Sequence, residues 1–376
     1  MERFDAIVVG AGPAGSAAAH RLASAGASVL LLDRARFPRD KPCGGGITVR
    51  AVPLLPEPVD AVVEDRATRV RLRAGYRGGF ERESRQPLVL LTQRARLDAF
   101  LAERAAAAGA DFRDGVRVES AEGTTVRLAG GGAAGGDLLI GADGANGVVA
   151  RSLGLAERVE HGVALEGNAP HDSAYRSTLL LEFGVVPGGY GWLFPKGDHV
   201  NVGVGGWGSE GPRLRDHLGR LCAAYGLRAD RLTAVRGHRL PMRHPGTVLA
   251  RGRAAVVGDA AGLVDPFSGD GIYEALLSAK LAARAALDLL AGRAATLEPY
   301  HDALTSQLAG LQASSWKLKH AVDRFPRLSL AIVRAPVLWP VIEAVVRGEL
   351  PHPNAARGAP RVPLAALRWL ARRSAA

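Results

Sequence analysis

The sequence has only two cysteines, Cys43 and Cys222, in 376 residues. Neither belongs to a C-x-x-C pair, so a disulfide framework is excluded and a reducing compartment is expected. Aromatic residues are scarce at 5%. They do not interleave with basic runs, so nothing supports nucleic-acid binding. The ten histidines show no metal-ligand spacing. Neither H-E-x-x-H nor G-x-S-x-G occurs, so metal and serine hydrolases lapse and no metal-binding residue is assigned. Long apolar runs are missing too: the stretch from Leu328 to Val346 is broken by Arg334, Pro336, Pro340 and Glu343. It makes a poor spanning helix. The first residues enter a strand pattern without the basic and apolar regions of a signal peptide, and a cytoplasmic protein is expected.

Acidic side chains are outnumbered, 37 against 48 basic ones, for a formal charge of +11. Such a field draws in anionic partners: a phosphate-bearing cofactor, a polyanion or a lipid surface. Arginine-rich composition without purpose is the competing reading. The apolar fraction of 47% and charged fraction of 23% are those of a globular chain.

The opening residues alternate between element types. Ala6–Val9 suits a buried parallel strand, Ser16–Ala25 an alanine-rich helix ending at Gly26, and Ser28–Leu32 a second strand. Residues 36–46 form a polar glycine loop, and 51–86 suggest mixed short strands. An amphipathic helix is expected over 93–108, with Leu97, Phe100, Leu101 and Ala105 inward. Strands follow at 116–118 and 124–128. Gly130–Gly136 reads as a hairpin turn, and Leu138–Ile140 as the returning strand. Residues 155–250 read as a mostly antiparallel layer with one helix near 214–225, where Cys222 is packing. Another buried strand, Ala254–Val257, leads to a helix over 271–290. Its inner face is Ile272, Leu276, Ala279, Ala283, Leu287 and Leu290, with Glu274 and Lys280 solvated. From Glu298 onward the chain is helical and basic. Its last arginines, with Leu364, Leu367 and Trp369 interspersed, read as a frayed terminus or an interfacial helix.

The strongest signal is Gly10-Ala-Gly12-Pro13-Ala14-Gly15, placed between strand and helix. A pyrophosphate needs backbone N–H groups at a helix N-terminus and no Cβ in its way. The first glycine turns the chain, the second admits the phosphate and the third packs helix on strand. Asp33 stands 18 residues after Gly15, at the end of the second strand. A carboxylate there accepts hydrogen bonds from ribose hydroxyls. Asp143, in Ile140-Gly-Ala-Asp143-Gly144, and Asp259, in Val257-Gly-Asp259-Ala-Ala-Gly262, follow further apolar strands. Three strand ends delivering Gly and Asp suggest one sheet edge wrapped around one long cofactor.

With these motifs the chain resembles the geranylgeranyl reductase family, within the flavoproteins that share the para-hydroxybenzoate hydroxylase fold. The resemblance covers roughly residues 3–340. Two further segments separate reductases from hydroxylases: Lys41-Pro-Cys43-Gly44-Gly45-Gly46-Ile47, and Tyr190-Gly-Trp192-Leu-Phe194-Pro195-Lys196 followed by Val202-Gly-Val-Gly205. The implied fold is α/β, a Rossmann-like FAD-binding domain interleaved with a mostly antiparallel β substrate domain, plus a helical C-terminal region. The FAD domain is expected over 1–60, 88–155 and 250–295, the substrate domain over 61–87 and 156–249, and the helical region with its basic tail over 296–376. The resemblance implies FAD, with Asp33 on the adenosine ribose and Arg34 beside it, Arg94 near the pyrophosphate, Val118 at the adenine and Asp259 on the ribityl–phosphate region. It places Cys43, Gly44 and Gly46 against the flavin. Pro266, Gly269, Gly271 and Ile272 start a helix beneath the ring, where a helix dipole favours an anionic reduced flavin. Asp33 stands where glutamate is more usual, and Gly45 where some relatives carry a larger residue.

On a strand, Tyr190, Trp192 and Phe194 share one face. With Pro195 they are expected to line a cavity for an apolar, isoprenoid substrate. The expected reaction saturates carbon–carbon double bonds, with NADPH or ferredoxin as external electron donor. An isolated alkene has no carbonyl to store charge, so a cationic state needs electron-rich walls, and Tyr190 and Trp192 are assigned that catalytic role. Cys43, in a loop with Arg39 and Lys41, is expected to be an accessible thiol that donates a proton or positions the flavin. The alternatives are an FAD-dependent monooxygenase or halogenase acting on an aromatic or polyketide-like substrate, and a carrier that has lost turnover. Peripheral membrane contact through the basic tail is a further expectation; the sequence assigns no oligomeric state.

Overall fold

The computed structural model describes residues 1–170 and 172–374. Its first layer is a sheet in the order Ala250–Arg251, Ala254–Val256, Ala133–Gly141, Glu2–Val9, Val29–Leu32, Asp111–Arg113. From Ala254–Val256 to Asp111–Arg113 every neighbour is parallel. The strands read as continuous apolar runs because both faces are covered: Ala6–Val8 and Leu30–Leu32 are fully buried. Each such leucine contributes about 1.5–3 kcal/mol of burial free energy. The helices Pro13–Ser24, Arg94–Ala107 and Ile272–Leu290 pack together against this sheet. Parallel pairing brings the ends of Val29–Leu32, Ala133–Gly141 and Ala254–Val256 to one edge, and Asp33, Asp143 and Asp259 with them.

The second layer is a seven-stranded sheet, in the order Thr233–Arg243, Val159–Pro170, His199–Trp207, Tyr190–Pro195, Thr178–Phe183, Arg69–Ala74, Arg77–Glu83. Its neighbours are antiparallel except Thr178–Phe183 with Arg69–Ala74. Register explains the Val202–Gly205 motif. Trp192 pairs with Gly203, and a Cβ on Gly203 would stand 2.1 Å from the indole. The glycine leaves the volume that the ring fills. A three-stranded sheet of Gly46–Thr48, Val89–Thr92 and Val63–Ala67 adjoins the Cys43 loop. Helices Glu298–Arg324, Pro326–Val333, Trp339–Arg347 and Arg361–Ser374 complete the described chain.

Four expectations change. The strand after the hairpin begins at Ala133, not Leu138. Gly135 and Gly136 belong to it because a Cβ on Gly136 would stand 3.1 Å from the Ile7 side chain, so the close pairing with Glu2–Val9 requires glycine. On the helix Ile272–Leu290, Leu289 is buried where Leu287 and Leu290 are only partly covered. Glu274 is 2% exposed rather than solvated, because its helix turn faces the one-turn helix Val49–Leu54, whose Arg50 guanidinium lies 3.7 Å away. The tail is a packed helix and not a frayed end: Leu364, Leu367 and Leu370 are buried against the preceding helices. Cys222 is fully buried in the second layer's core, as expected.

Candidate active site

One cavity of about 930 Å³ runs between the two layers and on into the C-terminal helices. The glycine turn opens it. Gly10 has φ +102°, and a Cβ there would stand 2.2 Å from the Ala142 carbonyl oxygen. A Cβ on Gly15 would stand 1.7 Å from the Gly10 carbonyl oxygen, so this glycine packs helix on strand. Gly12 differs. A Cβ there would face open cavity, its nearest atoms Arg39 Nη2 at 3.5 Å and Arg94 Nη2 at 4.0 Å. An uncrowded glycine at a helix N-terminus between two guanidinium groups is a phosphate cradle. The chain therefore fits a dinucleotide here by shape and by charge.

Those arginines are fixed by Asp98, which is fully buried. Arg94 donates Nε and Nη2 to its two oxygens at 2.7 Å each, and Arg39 Nη1 stands 2.7 Å from Oδ2. Burial works against the Arg94 charge, but Asp98 outweighs it and holds the guanidinium above its ordinary range. Asp33 accepts the N–H groups of Ala11 and Ala35, at 2.8 and 2.9 Å. The shorter carboxylate thus braces the glycine turn while lining the cavity. Asp259 is held by Lys41 at 2.8 Å and by His238 at 3.4 Å. Burial opposes its ionisation, yet the Lys41 ammonium and the His238 hydrogen bond outweigh burial and keep it below the usual carboxylate range. Asp143 also reaches the cavity, but its Oδ2 accepts from Val148 and Val149 N–H, capping a short helix.

Arg34, Val118, Pro266, Gly269, Gly271 and Ile272 line the same cavity, as do Pro13, Ala14, Gly44 and Gly46. Gly15 does not. The helix start at Ile272 is capped by Asp270, which accepts the Ile272 N–H at 2.9 Å. Hence that N–H is engaged within the protein, and what the helix offers a ligand is its dipole.

The two distinguishing segments meet. A Cβ on Gly44 would stand 2.9 Å from the Phe194 ring and 3.8 Å from Trp192 Nε1, so the Cys43 loop lies on the aromatic strand. Tyr190, Trp192 and Phe194 all face the cavity, with neighbouring ring centroids 6.1 and 6.4 Å apart. Trp192 Nε1 donates to Asn201 Oδ1 at 2.8 Å, which fixes the indole plane. The Tyr190 hydroxyl donates to the Ser268 carbonyl. Burial, with Asp265 and Asp270 nearby, pushes the phenol above its ordinary value, so it stays protonated. Pro195 is a correction: it is buried but absent from the cavity wall. Side chains alternate along a strand, and position 195 falls on the opposite face from 190, 192 and 194.

Cys43 is a half-buried free thiol. Its N–H donates to Glu166 Oε1 at 2.6 Å, and its Sγ accepts the Gly45 N–H at 3.2 Å. Burial pushes the Glu166 carboxyl up from its ordinary value. Gly45 has φ +64°, and a Cβ there would stand 1.9 Å from Lys196 Nζ. The Thr92 carbonyl oxygen would lie 2.1 Å from the same Cβ, so the backbone here leaves no room for a side chain. Lys196 is buried, donates to the Thr92 carbonyl at 2.6 Å, and is lowered by burial to about 8.

Residues at this site that were not assigned a role from sequence are Arg39, Lys41, Asp98, Glu166, Lys196, Asn201 and His238. Glu166 left a trace, an acid directly after the apolar strand residues Val163–Leu165. Arg39 was legible only as a neighbour of Cys43 in the loop, because its contact with Asp98 joins distant parts of the chain, and His238 left no trace. No group of three or more His, Cys, Asp or Glu able to hold a metal occurs among the described residues.

A family model described as an FAD binding domain matches residues 3–173. The chain is 33% identical over 313 residues to a geranylgeranyl diphosphate reductase of Rhodobacter capsulatus, covering 79% of this chain and 78% of that one. It is 36% identical over 311 residues to a menaquinone reductase of Mycolicibacterium smegmatis, covering 75% and 76%. Among solved structures, a geranylgeranyl bacteriochlorophyll reductase-like protein of Thermoplasma acidophilum aligns with a TM-score of 0.74 at 22% identity, over 97% of this chain and 96% of that one. A flavin-dependent brominase aligns with a TM-score of 0.78 at 17% identity, over 99% and 100%. At such identities these two likenesses establish the fold alone. Sequence identity over three quarters of the chain goes further: this chain belongs to the geranylgeranyl reductase family of FAD-binding oxidoreductases.

Proposed function

We propose that the protein reduces carbon–carbon double bonds in an isoprenoid chain. One observation carries this reading: the Cys43 loop and the Tyr190–Phe194 strand touch at Gly44, beside a cavity that continues into aliphatic helices. The cofactor end would be held by Gly12, Arg39, Arg94, Asp33, Lys41 and Asp259. FAD, when bound and reduced by an external donor, supplies hydride. Each saturated bond gains two hydrogens, a hydride on one carbon and a proton on the other.

The chain's own part is to hold the alkene, exclude water and supply that proton. Trp192, oriented by Asn201, presents an indole face to charge developing on the alkene; such contacts are worth about 2 kcal/mol when desolvated. Tyr190 is tied to Ser268 and so links the aromatic strand to the loop before the Ile272 helix. Cys43 and Glu166 both line the cavity, Glu166 holding the Cys43 backbone N–H, so that the thiol stands on the wall where its proton can reach a bound alkene.

Anaerobic incubation with geranylgeranyl diphosphate, a menaquinone and an archaeal-type lipid tests the reading by mass. A gain of two hydrogens per bond supports it; a product that forms only in a parallel aerobic arm supplied with halide, and that carries an added oxygen or halogen, overturns it in favour of a monooxygenase or halogenase. Cys43→Ser is expected to slow alkene reduction while flavin content stays unchanged. Loss of flavin instead refutes a role for the thiol in turnover.

A further inference from the structure

We infer that the C-terminal helices dock on an anionic lipid bilayer and turn the apolar end of the cavity toward it. The inference rests on the isoprenoid reading for what passes through, and on the C-terminal surface itself for the bilayer.

The helices Pro326–Val333 and Trp339–Arg347 are apolar on opposing sides. Their inner faces, with Leu330, Val333, Val341 and Ile342, line the cavity. Their other side is not covered by protein: Leu328 is 50% exposed and Val337, in the turn between them, 36%. The exposed apolar side chains Leu328 and Val337 stand among Arg327 and Arg334, an amphipathic surface of the kind that lies in a membrane interface. Among the described residues no single helix is long and apolar enough to cross a membrane. Pro326–Val333 and Pro336–Arg347 together have the length and apolar composition of a membrane-entering pair, bent by 79° at the break.

The tail helix Arg361–Ser374 repeats the pattern. Leu364, Leu367 and Leu370 face inward, whereas Val362 is 76% and Trp369 47% exposed. The Arg373 guanidinium lies 4.3 Å over the Trp369 ring, and a tryptophan beside arginine is the pairing favoured at headgroup depth. Ile332 packs in the same apolar clusters as Leu364, Leu367 and Leu370, so the two exposed surfaces belong to one helical unit.

Charge selects the partner. Residues 325–376 carry eight arginines against two glutamates and no lysine or aspartate. Each basic residue near an anionic lipid surface contributes about 1 kcal/mol. Four of the eight large exposed apolar side chains among the described residues fall in this same stretch. Apolar stripes edged by arginine fit an anionic bilayer, and a cavity walled by the same helices gives a lipid-borne chain a path inward.

Flotation of the FAD-loaded full chain tests this, with vesicles of phosphatidylcholine alone and of phosphatidylcholine mixed with phosphatidylglycerol. The expected result is salt-sensitive binding to the phosphatidylglycerol vesicles only. The double variant Leu328→Glu/Trp369→Ser, neither residue lining the cavity, should lower the bound fraction about 10-fold and leave turnover of detergent-dispersed substrate unchanged. Absence of binding at low salt, or binding that the double variant leaves intact, overturns the inference. So does concentration-dependent self-association abolished by the variant without vesicle binding, which would assign the surface to a second copy. Vesicle binding with no hydrogenated product from any isoprenoid would leave the docking surface standing and remove the substrate reading.

Discussion

The two ends of the cavity are made of opposite materials. At the cofactor end the wall is glycine backbone and charge, each ion held by a named partner: Arg94 and Arg39 on Asp98, Lys41 and His238 on Asp259. At the far end it is aliphatic, from Leu330, Val333, Leu338 and Val341. Charge needs fixed geometry, because a buried ion without its partner is costly. An apolar wall needs only volume and tolerates exchange of one aliphatic residue for another. The first end therefore depends on exact placement of its groups, and the second on volume.

That contrast can be broken most severely at Gly12. Gly12→Val is expected to remove nearly all bound flavin from a chain that still folds, as read from the flavin-to-protein absorbance ratio and circular dichroism. Gly15→Val should instead prevent folding, because its Cβ collides with the Gly10 carbonyl. Equal flavin loss in two well-folded variants would erase the distinction between cradle and packing glycine. At the far end, Leu338→Ala should lower stability by about 2–4 kcal/mol in denaturant titration while leaving flavin content unchanged. Trp192→Leu should reduce turnover about 10-fold with flavin affinity intact, measured by steady-state kinetics beside flavin titration. A large loss of flavin in that variant would move Trp192 to the cofactor end.

A further expected effect is a pH dependence. Burial lowers Lys196 from 10.5 to about 8 in the folded chain. Between those values the unfolded chain keeps a proton that the folded one has released, so stability rises with pH from about 8 toward 10. Lys319, also lowered by burial to about 8, adds to the same rise. Below pH 8 both ammonium groups are charged in both states, and their desolvation counts against folding. Thermal melting across this range should show the increase, and Lys196→Met should flatten it.

The strand–turn–helix geometry at the glycine turn was legible in the sequence because its signals are local. Gly10, Gly12, Gly15 and Asp33 lie within one strand–helix–strand unit, where backbone conformation and spacing are decided by neighbours in sequence. The alternation of Tyr190, Trp192 and Phe194 was equally legible, whereas the same rule should have set Pro195 apart. Glu274 was misplaced because helical position alone does not reveal Arg50 opposite. The tail was misjudged for a similar reason: what buries Leu364 and Leu367 comes from helices tens of residues earlier.

Sequence by itself determined the parallel strands, the phosphate-binding turn and the family, since each depends on residue type at short spacing. Only the tertiary structure decided that three distant aspartates share an edge yet do different work, that Asp98 locks two arginines beside Gly12, and that the last helices wall the cavity. Those outcomes depend on contacts between residues far apart in the chain, which packing of the whole fold brings together and no local pattern encodes.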